Sequence, residues 1–292
     1  MNPDPPNRIA SLHPCWSQDP RARNGRIHLP VAPACNLQCR FCLRVFNAGE
    51  ERPGVSRGIL PVAEVPAVIG RALELCPEIT VAGIAGPGDT LASPHALEAF
   101  SLVHRHFPGL IKCLSTNGLL LQQRLPELIA AGVGTVTVTV NGVRPETVSA
   151  VVASIRLGGV RFSGPEGAQL LVRRQLAGIR AAVAAGIPVK VNMVLIPGVN
   201  DQEVDATARA VAQAGASLIN LLPLLPQGGF AHLAPPTCAG LHSARQAARR
   251  YLPVFQHCQH CRADAVGIPG GTDFAGTIYG GLDSPGETFS HG

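Results

Sequence analysis

The sequence predicts an α/β fold, a partial (βα)6 barrel, and three observations predict it. Apolar segments that read as strands alternate with amphipathic helical segments from Arg26 to Leu222, which implies parallel strands joined by right-handed crossovers. Hydrophobic residues make up 46% of the 292 and charged residues only 15%, enough for one sizeable packed α/β domain or two small ones. Two of the strands carry a polar face at the positions where a complete barrel carries branched aliphatic side chains.

The elements follow in order. Residues 1–25 are polar and proline-bearing and hold His13-Pro14-Cys15. A first strand over 26–32 leads into a cysteine-rich loop, and 50–54 is a connection. Val62, Val65, Val68, Ile69 and Leu73 place a helix over 61–76. Strand two, 79–85, runs into the turn Gly86-Pro87-Gly88-Asp89. A helix over 94–106 precedes strand three, 110–115, which ends at Thr116-Asn117-Gly118. A helix over 119–131 precedes strand four, 134–141. After a looser insertion around 158–166 come a helix over 168–185, strand five over 188–196, a helix reaching 214 and strand six over 218–222. The chain therefore divides into an N-terminal segment (1–25), the barrel (26–225), a C-terminal segment carrying Cys258-Gln259-His260-Cys261 (226–268) and a mobile Gly-rich tail (269–292).

Strands four and five say what the barrel holds. Thr135, Thr137, Thr139 and Asn141 share one face and Val136, Val138 and Val140 the other, because side chains alternate across a strand. Lys190 and Asn192 likewise oppose Val189, Val191, Met193 and Leu195, and His28 falls in the inner phase of strand one. One face packs on helices; the other lines an open, ligand-filled lumen.

Composition excludes several classes. The net charge is +5, but the arginines are scattered and aromatics are 4%, so nucleic-acid binding is not supported. No stretch reaches the roughly 18 apolar residues of a membrane span. The start, Met-Asn-Pro-Asp-Pro-Pro, lacks the basic and apolar regions of a signal peptide, so a cytoplasmic location is expected. Nine cysteines in a reducing compartment read as metal ligands or core thiols rather than disulfides.

Three of them form Cys35-Asn-Leu-Gln-Cys39-Arg-Phe-Cys42, directly after the first strand. A zinc site would pair one Cys-x2-Cys knuckle with another, which this x3-then-x2 triplet fits poorly. Three thiolates on a cubane of four irons leave one iron open to an outside ligand, and an open metal position is a catalytic one. The triplet resembles the radical S-adenosylmethionine (SAM) superfamily. That resemblance implies a 4Fe–4S cluster on Cys35, Cys39 and Cys42 whose open iron chelates SAM. One electron then splits SAM to methionine and a 5′-deoxyadenosyl radical, with Phe41 beside the adenine. Gly83, Gly86, Gly88 and Asp89 occupy the position of the superfamily's glycine-rich segment, which holds the methionyl amino group. Ser115, Asn117, Asn141 and Asn192 fall where the ribose and carboxylate of SAM would be reached. Taken alone, Gly-Pro-Gly-Asp is a turn and each of these polar residues a cap or turn residue.

The remaining cysteines raise a second question. Cys113 shares a strand face with Ile111 and Ser115 and is a core thiol on its own terms. Cys258 and Cys261, flanked by His257 and His260, form a knuckle that suits zinc or a cluster. Cys76 and Cys238 read as structural, the first at a helix end and the second in a loop. Four runs, 26–35, 83–89, 113–118 and 258–267, resemble the NifB family, the radical SAM group that assembles the nitrogenase cofactor precursor. This implies two further 4Fe–4S clusters, fused into one core around a carbide drawn from SAM's methyl group, and lyase or transferase chemistry. His13, Cys15, Cys113, Cys258 and Cys261 match the positions used for those clusters. The expected partners are an electron donor of ferredoxin or flavodoxin type and iron–sulfur or cofactor-carrier proteins. Two departures stand out. The family carries another cysteine shortly after the triplet, where this chain reads Val45-Phe46-Asn47-Ala48-Gly49, and adjacent histidines where it reads Arg21-Ala22. Glu50, or a histidine such as His28, is the candidate stand-in. Two other readings stay open: a divergent radical SAM enzyme with one auxiliary 4Fe–4S cluster acting on a small molecule or peptide, and an iron–sulfur carrier or scaffold.

Overall fold

Most strands alternate Val, Ile or Leu, which pack on helices, with polar or small residues that face the lumen. The computed structural model describes residue 9, residues 11–17, residue 19 and residues 23–282. Its first half contains β1 (Gly25–His28), β2 (Leu37–Cys39), α1 (Val65–Leu75), β3 (Ile79–Ile84), α2 (His95–His106), β4 (Ile111–Thr116) and α3 (Leu121–Ala130). Next come β5 (Val133–Thr139), α4 (Pro145–Val151), β6 (Val152–Leu157), β7 (Val160–Phe162), α5 (Gly164–Ala184) and β8 (Val189–Leu195). The chain continues through α6 (Val204–Gln213), β9 (Leu218–Pro223), α7 (Cys238–Arg249), β10 (Val266–Gly267) and α8 (Ala275–Tyr279). The main sheet has seven strands in the order β10-β1-β3-β4-β5-β8-β9, all parallel except β10. Its parallel strands pair in chain order, so the sheet curls into the wall of a (βα)6 partial barrel. Val136, Val138, Val189 and Val191 sit wholly inside the helix-facing core, as their alternation predicted. Among the described residues no helix is long and apolar enough to cross a membrane.

The expected loose insertion is ordered. β6 and β7 form a hairpin whose turn, Gly158-Gly159, takes positive φ at both residues (59° and 80°), the two-residue turn that glycine favours. β6 then pairs with β2, Leu37 opposite Ile155 and Cys39 opposite Val152, making a separate three-stranded sheet. Leu37, Val151, Ile155, Leu171 and Phe230 pack beneath it as a second core. The cysteine loop is thus a strand clamped on its own apolar base.

The C-terminal chain also differs from expectation. Cys238, read as a loop residue, is the exposed first residue of α7, where Thr237 Oγ1 accepts from the Gly240 amide at 3.0 Å. Beyond α7 the chain runs along the open edge of β9, where Phe255 N donates to Ile219 O at 2.8 Å. It then crosses the barrel mouth and pairs as β10 with β1 at the opposite edge. Residues 253–267 form a strap between the two edges of the sheet. The expected mobile tail is held as far as Leu282: Tyr279 is buried and donates to His28 O at 2.7 Å, and Asp273 accepts from the amides of Val266 and Ala275. Residues 283–292, and Arg21-Ala22, lie outside the described residues.

Arg262 fastens the strap. Its guanidinium donates to the Asn47 carbonyl at 2.7 Å and to that of Glu50, and pairs with Asp264 at 2.8 Å, with both side chains essentially excluded from solvent. Asp264 also receives the Arg57 amide and guanidinium. Removing one partner of a buried pair strands the other charge, at a cost of about 3–5 kcal/mol. Asp264→Ala is therefore expected to lower unfolding stability by roughly that amount in a denaturant titration; a change below about 1 kcal/mol would mean the pair does not fasten the strap.

Candidate active site

The cysteine loop begins where β1 gives out. Cys35 follows Pro33-Ala34, Cys39 ends β2, and the Cys42 amide closes a turn on Cys39 O at 3.1 Å. The three thiols face a common space. Burial pushes Cys35 up to about 11 and Cys39 higher still, with Cys42 and Cys35 adding to the rise at Cys39. Buried thiols shifted this far stay protonated unless a metal takes their charge, and a coordinating thiol is deprotonated outright. Among the described residues no three Cys, His, Asp or Glu side chains converge tightly enough to hold a single metal ion. A cubane asks for something else, one thiolate per iron around a shared space, and the triplet offers that. Burial works against the charge of Arg44, yet Cys35, Cys42, Cys39 and Asp89 around it leave its pKa raised. Sequence reasoning passed over Arg44; its position two residues after the last cysteine was the available signal.

The segment after β3 is laid against this loop. The amides of Gly88 and Asp89 donate to the carbonyls of Ala32 and Ala34, both at 2.8 Å. A Cβ at Gly88 would run into the Ala34 carbonyl, lying 2.6 Å from its carbon, so only glycine permits this approach. Asp89 braces the site. Its buried carboxylate accepts from the Asn117 amide at 2.6 Å, the Leu91 amide at 3.0 Å and the Thr116 hydroxyl. Burial raises its pKa and those hydrogen bonds oppose the rise. Asn117 passes the order on, donating to Asn36 Oδ1 at 2.6 Å.

A cavity of about 300 Å³ opens inside the barrel. Cys35, Cys39, Cys42 and Phe41 line one part of it, with Gly88, Asp89, Ser115 and Asn117. Asn192 and Asn220 also line it; Asn192 Oδ1 accepts from Asn220 Nδ2 at 3.3 Å, while Asn220 Oδ1 is buried with no hydrogen-bond partner. Gly83 and Gly86 do not line the wall. Gly83 makes room: a Cβ there would come within 3.1 Å of Cys113 Sγ and 3.0 Å of the His28 ring. Two expected residues do not come in. Asn141 turns its Oδ1 to the Val194 amide at 2.9 Å, ordering the end of β8, and Glu50 is exposed and paired with Arg52. Ala48 is exposed as well.

Cys15, Cys113, Cys258, Cys261 and His13 line the other part of the same cavity. Burial raises Cys113 to about 12, and it raises Cys261 against the pull of Arg26, whose Nη2 donates to the Cys261 sulfur at 3.2 Å. His13 Nδ1 accepts from the Cys15 amide at 3.1 Å, leaving Nε2 buried and without a hydrogen-bond partner. Burial, first of all, lowers its pKa well below the usual histidine range. His28 Nδ1 lies 2.8 Å from Arg262 O, and burial lowers its pKa to about 4. A neutral imidazole steadied through one nitrogen is a competent donor through the other. The donor set of sulfur and neutral imidazole, with unpartnered polar atoms facing inward, fits iron–sulfur clusters and a polar small molecule. Cys76 is buried away from this space.

The sequence profile of the Radical SAM superfamily matches residues 29–211. The chain is similar to "FeMo cofactor biosynthesis protein NifB" of Methanocaldococcus jannaschii, at 40% identity over 262 residues that cover 89% of this chain and 87% of that protein. The Klebsiella pneumoniae protein of the same name is 39% identical over 269 residues, 89% of this chain and 58% of its own longer one. Among solved structures the fold resembles Streptococcus suis SuiB bound to S-adenosylmethionine (TM-score 0.55, 13% identity, 92% of this chain and 54% of that one). It also resembles a radical SAM methyltransferase from Sphaerobacter thermophilus (TM-score 0.51, 19% identity, 79% and 64%). Those identities speak to the fold alone.

Proposed function

The chain belongs to the radical SAM superfamily and, within it, to the NifB family, and from that footing we propose how its cavity builds the iron–sulfur–carbide precursor of the nitrogenase cofactor. It is a NifB-like radical SAM enzyme of FeMo cofactor biosynthesis. The observation that carries the proposal is the sharing of one cavity by the triplet Cys35, Cys39 and Cys42 and by the second set of thiols.

In this reading the triplet holds a 4Fe–4S cluster, which when bound supplies the electron that splits SAM. Arg44 balances the negative charge of the three thiolates. The close backbone approach at Gly88 shapes the edge where the methionyl end of SAM lies, and Asp89 fixes that edge through Thr116 and Asn117. Phe41 gives an apolar wall for the adenine, while Ser115, Asn192 and Asn220 supply hydrogen bonds to the polar end. His13, Cys15, Cys113, Cys258 and Cys261 hold the substrate clusters, so the carbon drawn from SAM is delivered across a single space. The reaction is of lyase or transferase type. It needs a one-electron donor of ferredoxin or flavodoxin type and a carrier protein to accept the product.

A second reading has an observation in its favour. Ala48 and Glu50 both face solvent, so the loop after the triplet offers the cavity no ligand as it stands. A chain short of donors on that side would serve one auxiliary cluster and another substrate, a small molecule or peptide. Replacing Cys35, Cys39 and Cys42 together by Ala separates the possibilities. The proposal expects iron to be retained with an electron paramagnetic resonance signal while SAM cleavage is lost. Zinc in place of iron, with no signal, would leave Cys258 and Cys261 a structural knuckle. The wild type, supplied with SAM, reductant, iron, sulfide and the carrier and later assembly proteins that finish the cofactor, should support activation of cofactor-free nitrogenase. Healthy SAM cleavage without activation would select the second reading.

A further inference from the structure

The cavity is rich in buried cations and poor in acids. Asp89 is its single lining carboxylate among the described residues, and hydrogen bonds from Leu91, Thr116 and Asn117 already occupy it. Arg26 and Lys190 both line the part of the cavity with the second set of thiols, and both are buried. Arg26 is engaged, donating to Gly267 O and to the Cys261 sulfur. Lys190 is held differently. Only 5% exposed on the inner face of β8, it reaches Cys15 O at 3.4 Å and sits 5.3 Å above the ring of Phe255, a residue of the strap. No carboxylate lies within ion-pair distance of it among the described residues.

An ammonium held by one long carbonyl contact and an aromatic face is poorly compensated for the water it has given up. A lysine that merely filled the wall would extend its charge to solvent. This one points inward, next to Cys113 and His13, both of which feel its charge. The missing counter-charge therefore belongs to what fills the cavity, and thiolate-held iron–sulfur clusters are anionic.

We propose that Lys190 is a positioning residue for that half of the cavity. Its ammonium balances the negative charge of a cluster held among Cys15, Cys113 and the strap, and thereby raises the cluster's reduction potential. Reduction adds one electron and one negative charge, so a fixed cation nearby favours the reduced form. The inference rests on the auxiliary-cluster reading above and assigns a role to a residue which that reading does not use.

The test takes full-length protein with Cys35, Cys39 and Cys42 replaced by Ala, so that only auxiliary clusters report. Iron content, thermal melting and a potentiometric titration followed by electron paramagnetic resonance are compared for Lys190, Lys190→Met, Lys190→Gln and Lys190→Arg. The neutral variants should keep their iron and melt normally, yet show about a tenfold lower ratio of reduced to oxidised cluster at a given potential. For one electron that is a midpoint about 59 mV more negative. Lys190→Arg should restore most of it. An unchanged midpoint in the neutral variants overturns the proposal, as does a shift in Lys190→Arg equal to that in Lys190→Met. A lowered melting temperature with no shift would assign Lys190 to packing and also overturn it. A parent protein without iron would overturn the cluster reading itself, and this inference with it.

Discussion

Cys39→Ala is expected to bring production of 5′-deoxyadenosine by the anaerobically reconstituted, reduced protein down to background. Cys39 is a residue of β2, and its strand is held by backbone pairing to β6 and by the buried Leu37 beside it. Removing the thiol therefore leaves the loop standing while taking one of three ligands from the cluster. Two thiolates cannot hold a cubane with a single open iron, so the loss should be complete rather than graded. Cys35→Ala and Cys42→Ala should behave alike. Cys238→Ala is the control, since Cys238 is exposed at the start of α7 and should leave cleavage intact. Undiminished cleavage by Cys39→Ala would sink the assignment of the triplet.

Gly88→Ala is expected to cost about a hundredfold in SAM cleavage, the scale of a misplacement of about 1 Å near reacting groups. The added Cβ would stand 2.6 Å from the Ala34 carbonyl carbon and 2.9 Å from Ala32 O. Both are backbone atoms, and so cannot rotate aside as the end of a flexible side chain would. Either the Gly86–Asp89 segment or the approach to Cys35 has to move, breaking the paired hydrogen bonds from Gly88 and Asp89. A loss confined to kcat, with iron content kept, would place the displacement at the SAM edge; loss of iron would place it at Cys35. Gly49→Ala, where no atom lies near the added Cβ, provides the comparison. Wild-type cleavage in Gly88→Ala would show that this approach is not what shapes the SAM edge.

The parts of this site that could be read from sequence are those fixed by local spacing. The triplet declares its chemistry within eight residues, from Cys35 to Cys42, and the alternation of Thr137 and Thr139 with Val136 and Val138 gives the polar lumen. Lys190 and His28 were placed on the inner face by the same alternation. What escaped depends on contacts between distant residues. Asn141 follows the inner phase of its strand, yet the free amide of Val194 claims its side chain. Glu50 follows the triplet closely enough to serve as a ligand, but Arg52 holds it outside. The β6–β7 hairpin carried a legible signal in Gly158-Gly159; its pairing with the cysteine loop did not, because nothing in either strand names its partner. Arg262 and Asp264 were part of a run read for its resemblance, and only the fold shows that they bind the strap to the loop of Asn47 and Glu50.

The strap has a consequence for how this protein is made. Its two ends seal the two edges of the sheet, Val254 beside Ile219 and Val266 opposite Ile27. A nascent chain shorter than about 267 residues thus has an unprotected flank at β1, and unpaired strand edges invite association with other chains. Synthesis leaves the mouth of the barrel accessible until residues 253–267 have emerged, and this segment, which then closes it, carries Cys258 and Cys261. Sealing the barrel and completing its second set of thiols are consequently one folding step, which waits until the whole strap is clear of the ribosome.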